Sequence, residues 1–128
     1  MSAWTSDQLD KFGRAEEVQV ASVGRDGTLR KPVTVWVVRH GEDLYVRSVG
    51  GRGAHWFRGT QERHEGRISA GGFQHDVTFV DADQGIEAEI DAAYRTKYRR
   101  YAGRILNSCL TPEARSATIK LVPRSTDS

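Results

Sequence analysis

The chain has 128 residues, of which 38% are hydrophobic and 28% charged. That composition fits one folded domain able to bury a core, and it excludes a disordered chain. A net charge of +2 and a pI near 8.9 are too mild to imply nucleic acid by themselves. The one cysteine, Cys109, excludes an internal disulfide and a cysteine-only metal site. The longest apolar run, Val33 to Val38, is too short to span a membrane, and the N-terminus lacks a basic-then-apolar signal pattern. A cytoplasmic protein is the simple expectation.

In chain order, residues 1–14 are expected to carry a short helix, capped by Ser6, with Leu9 and Phe12 on one face and Gly13 at its end. Val18 to Gly24 reads as a strand, and Asp26-Gly27 as a hairpin turn. The next strand spans Leu29 to Arg39. Alternation sends Val33, Val35 and Val37 one way and Thr34, Trp36 and Val38 the other. Both faces are mostly apolar, which places this strand centrally. A turn at His40-Gly41-Glu42-Asp43 leads into the strand Leu44 to Val49.

A glycine-rich turn (Gly50, Gly51, Gly53) then opens a helix carrying Trp56 and Phe57. Gly66 starts a further strand, and Gly71-Gly72 turns it into Phe73 to Ala82, with Phe73, His75, Val77 and Phe79 on one face. A long helix is expected over 85–106, with Ile86, Ile90, Tyr94, Tyr98, Tyr101 and Ile105 as its apolar stripe. Thr111-Pro112-Glu113 is a short helical start. Ser116 to Val122 closes the chain as the last strand, and 124–128 is a polar tail. Consecutive hairpins imply antiparallel pairing, so the expected class is mainly β: a six-stranded antiparallel barrel with flanking helices.

The turn after Val49 is the first candidate site. Glycines let a backbone approach a ligand closely, and a helix start offers free N–H groups to an anion. Arg47 and Arg52 flank it, and guanidinium groups suit phosphate. Trp56 and Phe57 supply flat surfaces for a heterocycle. The competing reading is a solvated loop beside core aromatics. The turn is neither a P-loop nor a dinucleotide fingerprint, since no Gly-Lys-Ser/Thr follows and Trp56 breaks the glycine spacing.

Four histidines, His40, His55, His64 and His75, show no ligand spacing, so no metal site is expected. His75 falls on an apolar strand face, as a satisfied core residue or a pocket-facing acid or base. No nucleophile elbow is present and no catalytic residue is assigned. Cys109 reads as a buried structural thiol. The stretch Ala93 to Tyr101 is a core-facing tyrosine stripe backed by arginines, an RNA-facing basic helix, or a set of hydroxyls reaching a pocket.

Taken in order, these motifs resemble a bacterial family of uncharacterised proteins, domain of unknown function 2255. The matching pieces are Trp4 and Leu9, Val35 to Val38, Leu44 to Gly59, Gly66 to Ile68 with Gly71-Gly72, Asp91 to Tyr98, and Ala117 to Pro123. They cover about the whole of residues 1–128 as a single domain. The family is similar to the FMN-binding split barrels, which include pyridoxamine-phosphate-oxidase-like proteins and deazaflavin-dependent reductases. The resemblance implies a six-stranded split barrel that pairs into a homodimer and binds a small molecule.

It further implies that FMN or a deazaflavin lies with its phosphate against the third strand and the following loop. Carried onto this chain, that means Arg47, Ser48, Gly50, Gly51, Arg52, Gly53 and Trp56, with Thr34 and Trp36 bordering the ring. His75, Tyr94, Lys97 and Tyr98 are candidates for the substrate pocket. Where redox relatives often carry a lysine in this loop, arginine and glycine stand here. Hydride transfer to a small-molecule substrate is the implied activity. Two alternatives stand beside it: a non-redox binding protein or isomerase- or cyclase-like enzyme using the barrel pocket without flavin, and RNA binding through the basic helix 95–104.

Overall fold

A computed structural model describes residues 4–101 and 103–124; of the expected 124–128 tail all but Arg124 lies outside them, as do the first three residues. Helix α1 (Ser6–Arg14) opens the fold. Its cap is Thr5 rather than Ser6: the Thr5 hydroxyl accepts from the Gln8 N–H, and the Gln8 side chain returns to the Thr5 N–H. Leu9 and Phe12 are buried together with Trp4, whose indole N–H donates to the Leu121 carbonyl at 2.9 Å.

Seven strands follow: β1 (Val18–Ser22), β2 (Val33–Val35), β3 (Val37–His40), β4 (Asp43–Arg47), β5 (Glu65–Ala70), β6 (Phe73–Asp81) and β7 (Thr118–Pro123). They form one antiparallel sheet in the order β2-β1-β5-β6-β7-β4-β3. The two outermost strands are consecutive in the chain and separated by Trp36 alone, so the sheet curls into a nearly closed barrel.

The count of seven rather than six has a local cause. The expected single strand from Leu29 to Arg39 is one extended run that changes partner at Trp36. Val33–Val35 pairs with β1 and Val37–His40 with β4, while Leu29 contributes only an isolated bridge to Val23. The run is therefore the seam of the barrel and not a central strand. The expected alternation holds across the seam: Val33, Val35 and Val37 belong to the barrel interior, and Trp36 and Val38 to a second, outer cluster.

The interior also takes Leu44 and Val46 from β4, Ile68, Val77 and Phe79, and Ile119 and Leu121. Each such fully buried aliphatic side chain stabilises the fold by about 1.5–3 kcal/mol. At Gly66 the walls come too close for any side chain. A Cβ there would lie 2.2 Å from the Ala21 carbonyl oxygen and 2.6 Å from the Phe79 ring.

The outer cluster packs the helical segment against β3 and β4. The long helix expected over 85–106 is broken into α3 (Glu87–Lys97), a 3-10 turn (Arg99–Tyr101) and α4 (Arg104–Asn107). Gly103, with φ of 105°, reverses the chain before α4 and ends the helical register. Helix α5 (Pro112–Ser116) precedes β7, capped by Thr111. Helix α2 (His55–Arg63) lies between β4 and β5, as the sequence suggests, after a short 3-10 turn at Gly51–Gly53. No helix among the described residues is long and apolar enough to cross a membrane.

Candidate functional site

The seam strand determines the site. Where β2 gives way to β3, backbone polar groups are met by side chains of α3. Tyr98 Oη accepts from the Val37 N–H at 3.1 Å and donates to the Glu16 carbonyl at 2.7 Å. Lys97 Nζ donates to the carbonyls of Ala15 at 2.7 Å and Val37 at 2.6 Å. The Tyr98 ring stacks flat on Trp36, with centroids 3.9 Å apart and planes 4° from parallel. The tyrosine–lysine motif is thus a strap over the seam.

Burial is the largest cause of the strap's shifted ionisations. It lowers the Lys97 amine from 10.5 to about 8 and raises the Tyr98 hydroxyl well above its ordinary range. Tyr94, fully buried, is raised for the same reason.

A cavity of about 400 Å³ opens beside this strap. Trp36, Trp56 and Tyr94 give it aromatic walls, and Thr34, Val35 and Gly50 line it from β2 and the glycine turn. Val49 and Ile105, both more than half exposed, supply apolar surface at its edge. The start of α2 borders it at Ala54, which caps that helix with no side-chain hydrogen bond.

Arg47 forms part of the floor but is not a free cation. It is 2% exposed, and every nitrogen of its guanidinium is engaged. Nε donates to Thr118 Oγ1 at 2.9 Å, Nη1 to Asp91 Oδ1 at 2.5 Å and the Cys109 carbonyl at 2.9 Å, and Nη2 to the Glu87 carbonyl at 3.3 Å. Asp91 is held on its other oxygen by Arg115. The expected phosphate hook is therefore committed to binding α3 and the Cys109 segment to β4.

Of the other expected loop ligands, only Gly50 and Trp56 line this cavity. Ser48 is fully buried and donates to the Gly51 carbonyl at 2.8 Å. Gly51, at φ of 78°, packs against Glu113 of α5. Arg52 donates to the Ser116 carbonyl and pairs with Asp81 at 3.4 Å, lining a different hollow with Arg115. Gly53 faces open space.

Among the expected substrate-pocket residues, Tyr94 lines the cavity and Tyr98 backs Trp36. Lys97 opens instead onto a groove with His40 and Glu89. His75 packs edge-on to Trp4 at 5.2 Å and accompanies the core. Sequence reasoning missed Glu17, Ile105 and Cys109 as lining residues. The contribution of Ile105 follows from the break at Gly103, which frees α4 from the register of α3. Burial raises the Cys109 thiol above its usual range.

A seven-stranded, nearly closed antiparallel barrel with its aromatic hollow at the seam defines the chain as a split-barrel protein. Solved structures share that fold. The haem storage protein HutZ from Vibrio cholerae superimposes with a TM-score of 0.64 at 14% identity, covering 94% of this chain and 90% of that one. An F420 reductase gives 0.51 at 19% identity, covering 92% of each chain. An FAD-binding protein from Mesorhizobium loti gives 0.59 at 12% identity, covering 98% and 93%.

The chain belongs to the family described as "Uncharacterized protein conserved in bacteria", domain of unknown function 2255, whose sequence profile matches residues 8–121. No curated protein matches it.

Proposed function

We propose that this protein binds the planar heteroaromatic ring of a flavin or deazaflavin in the cavity between Trp36, Trp56 and Tyr94. The observation that carries the reading is the cavity itself. Its volume of about 400 Å³ suits a tricyclic ring, two indoles and a buried phenol are among its lining, and it lies at the turn from β4 into α2. Flavin-, deazaflavin- and haem-binding proteins that share the fold support this class of ligand.

The cofactor would supply hydride chemistry; the chain's part is to bind the ring and to exclude water from one side of it. The Tyr98 stack keeps Trp36 from turning, so this wall is set before ligand arrives. Arg47 places a fixed positive charge beneath the floor, largely neutralised by Asp91. The exposed apolar pair Val49 and Ile105 offers surface to the rest of a ligand or to a second copy of the chain.

The test is titration of the purified protein with FMN, FAD, a deazaflavin and haem, followed by absorption and tryptophan quenching. Flavin or deazaflavin binding that Trp56→Ala weakens at least tenfold is expected. Absence of binding at high micromolar concentration would overturn the reading and favour a non-redox ligand. Binding of haem alone would move the chain to haem chemistry.

A further inference from the structure

Cofactors of the flavin type carry phosphate or carboxylate on a flexible chain, and that charge needs a cation. Neither expected arginine is available to it at the ring cavity. Arg47 is buried with four of its five N–H donors given to protein acceptors, and Arg52 pairs with Asp81 in a separate hollow. Among the described residues, Glu17 is the charged side chain of the ring cavity that forms no ion pair, and it is acidic.

A second cavity, of about 530 Å³, shares Trp56 with the first. Arg30, Lys31 and His55 line it, and Ser22 adds a hydroxyl; no carboxylate does so among the described residues. Lys31 and His55 are exposed and form no ion pair among those residues. Arg30 is anchored by Glu62, to which its Nη2 donates at 2.9 Å. Its Nε, however, is buried without a protein partner. That nitrogen lies beside Gly24, which lines a neighbouring hollow with Asp26 and Glu62, so Arg30 brings its positive charge to this cavity and not that donor.

The Arg30 side chain runs beside two glycines. A Cβ on Gly24 would lie 3.5 Å from its Nε, and one on Gly59 3.6 Å from its Cδ. The same substitution at Gly59 would press to 2.6 Å on the Ser22 hydroxyl.

Resting on the reading that the ring occupies the Trp36–Trp56 cavity, we infer that the cavity of Arg30, Lys31 and His55 is the subsite for the anionic chain of the same ligand. The chain passes Trp56, which borders both spaces. Its phosphate or carboxylate oxygens accept from the Lys31 ammonium, the Arg30 guanidinium and the His55 ring. In sequence the signal is the pair Arg30-Lys31 held ahead of Pro32, whose fixed φ leads directly into the seam strand.

Riboflavin and FMN separate the two parts, since they share a ring and differ by one phosphate. The wild type is expected to bind FMN about tenfold or more tightly than riboflavin, a preference that added salt removes. Lys31→Gln with His55→Gln is expected to lower FMN affinity to that of riboflavin, while riboflavin affinity stays within about twofold. Both residues are exposed, so an unchanged thermal midpoint is expected for this variant; Arg52→Ala, as a control, retains the FMN preference. Equal wild-type affinity for riboflavin and FMN, or an FMN preference that survives the double substitution, overturns the subsite while leaving the ring cavity intact. Failure of riboflavin itself to bind overturns the ring cavity and the subsite together.

Discussion

Arg47 and Asp91 form an ion pair between β4 and α3, with Nη1 at 2.5 Å from Oδ1 and both side chains at 3% exposure or less. Desolvating two charges is costly, and the geometry here offsets that cost with further hydrogen bonds: Thr118, Glu87 and Cys109 take three more Arg47 donors, and Arg115 holds the other Asp91 oxygen. Removing one partner strands the other. Asp91→Ala is expected to destabilise the protein by about 3–5 kcal/mol in urea unfolding. A loss below about 1 kcal/mol would show that the pair does not clamp the helix to the barrel.

The strap over the seam makes a local prediction. Tyr98→Phe keeps the stack on Trp36 but removes the oxygen shared by Val37 and Glu16. The expected cost is about 1–3 kcal/mol, the penalty for buried backbone groups left unmet. Hydrogen exchange at the Val37 amide should accelerate more than at β5 or β6. Uniform acceleration across the sheet would mean that the hydroxyl has no special role at the seam.

Lys97 gives the strap a pH dependence. Burial lowers its folded pKa to about 8, against an ordinary 10.5. Between those values the unfolded chain binds the extra proton, so stability rises as pH increases through that window. The penalty for burying the ammonium is in full force below about pH 8. Cys109, Tyr94 and Tyr98, all raised, act in the opposite direction as they ionise in the unfolded chain. The contribution is therefore read as the difference between wild type and Lys97→Met, in urea midpoints at pH 7 and pH 9.5. The wild type should gain on the variant at the higher pH; a constant difference would contradict the assignment.

Gly66 tests the closeness of the barrel walls. A methyl group there meets the Ala21 carbonyl oxygen at 2.2 Å and the Phe79 ring at 2.6 Å, and the first of these is backbone that cannot turn aside. Gly66→Ala should cost about 1–3 kcal/mol or prevent folding, whereas Gly85→Ala, with open space around it, should be neutral. Equal effects at the two positions would count against this geometry.

Much of the fold is legible in the chain because alternation and turn chemistry are local. The DG and GG turns, the faces of β4 and the partition of Val33, Val35 and Val37 from Trp36 and Val38 all follow from period-two patterning. The seam is not local. Nothing within Val33 to His40 says that its halves pair with different strands, since that depends on barrel closure and on Tyr98 and Lys97 lying some 60 residues away.

The site was legible in part for the same reason. Trp36, Trp56, Gly50, Thr34 and Tyr94 line one cavity. Arg47 and Arg52 read as phosphate hooks because a sequence displays charge without its partner. Asp91 and Asp81, far along the chain, give them other roles. A strand-entry pair, Arg30-Lys31, and one helix-start histidine, His55, carry no motif that would join them in sequence.

The most direct test of the ring cavity is a crystal structure of the protein with FMN at saturating concentration. Isoalloxazine density is expected in the hollow bounded by Trp36, Trp56 and Tyr94. A ring bound elsewhere, or a hollow left empty, would contradict it.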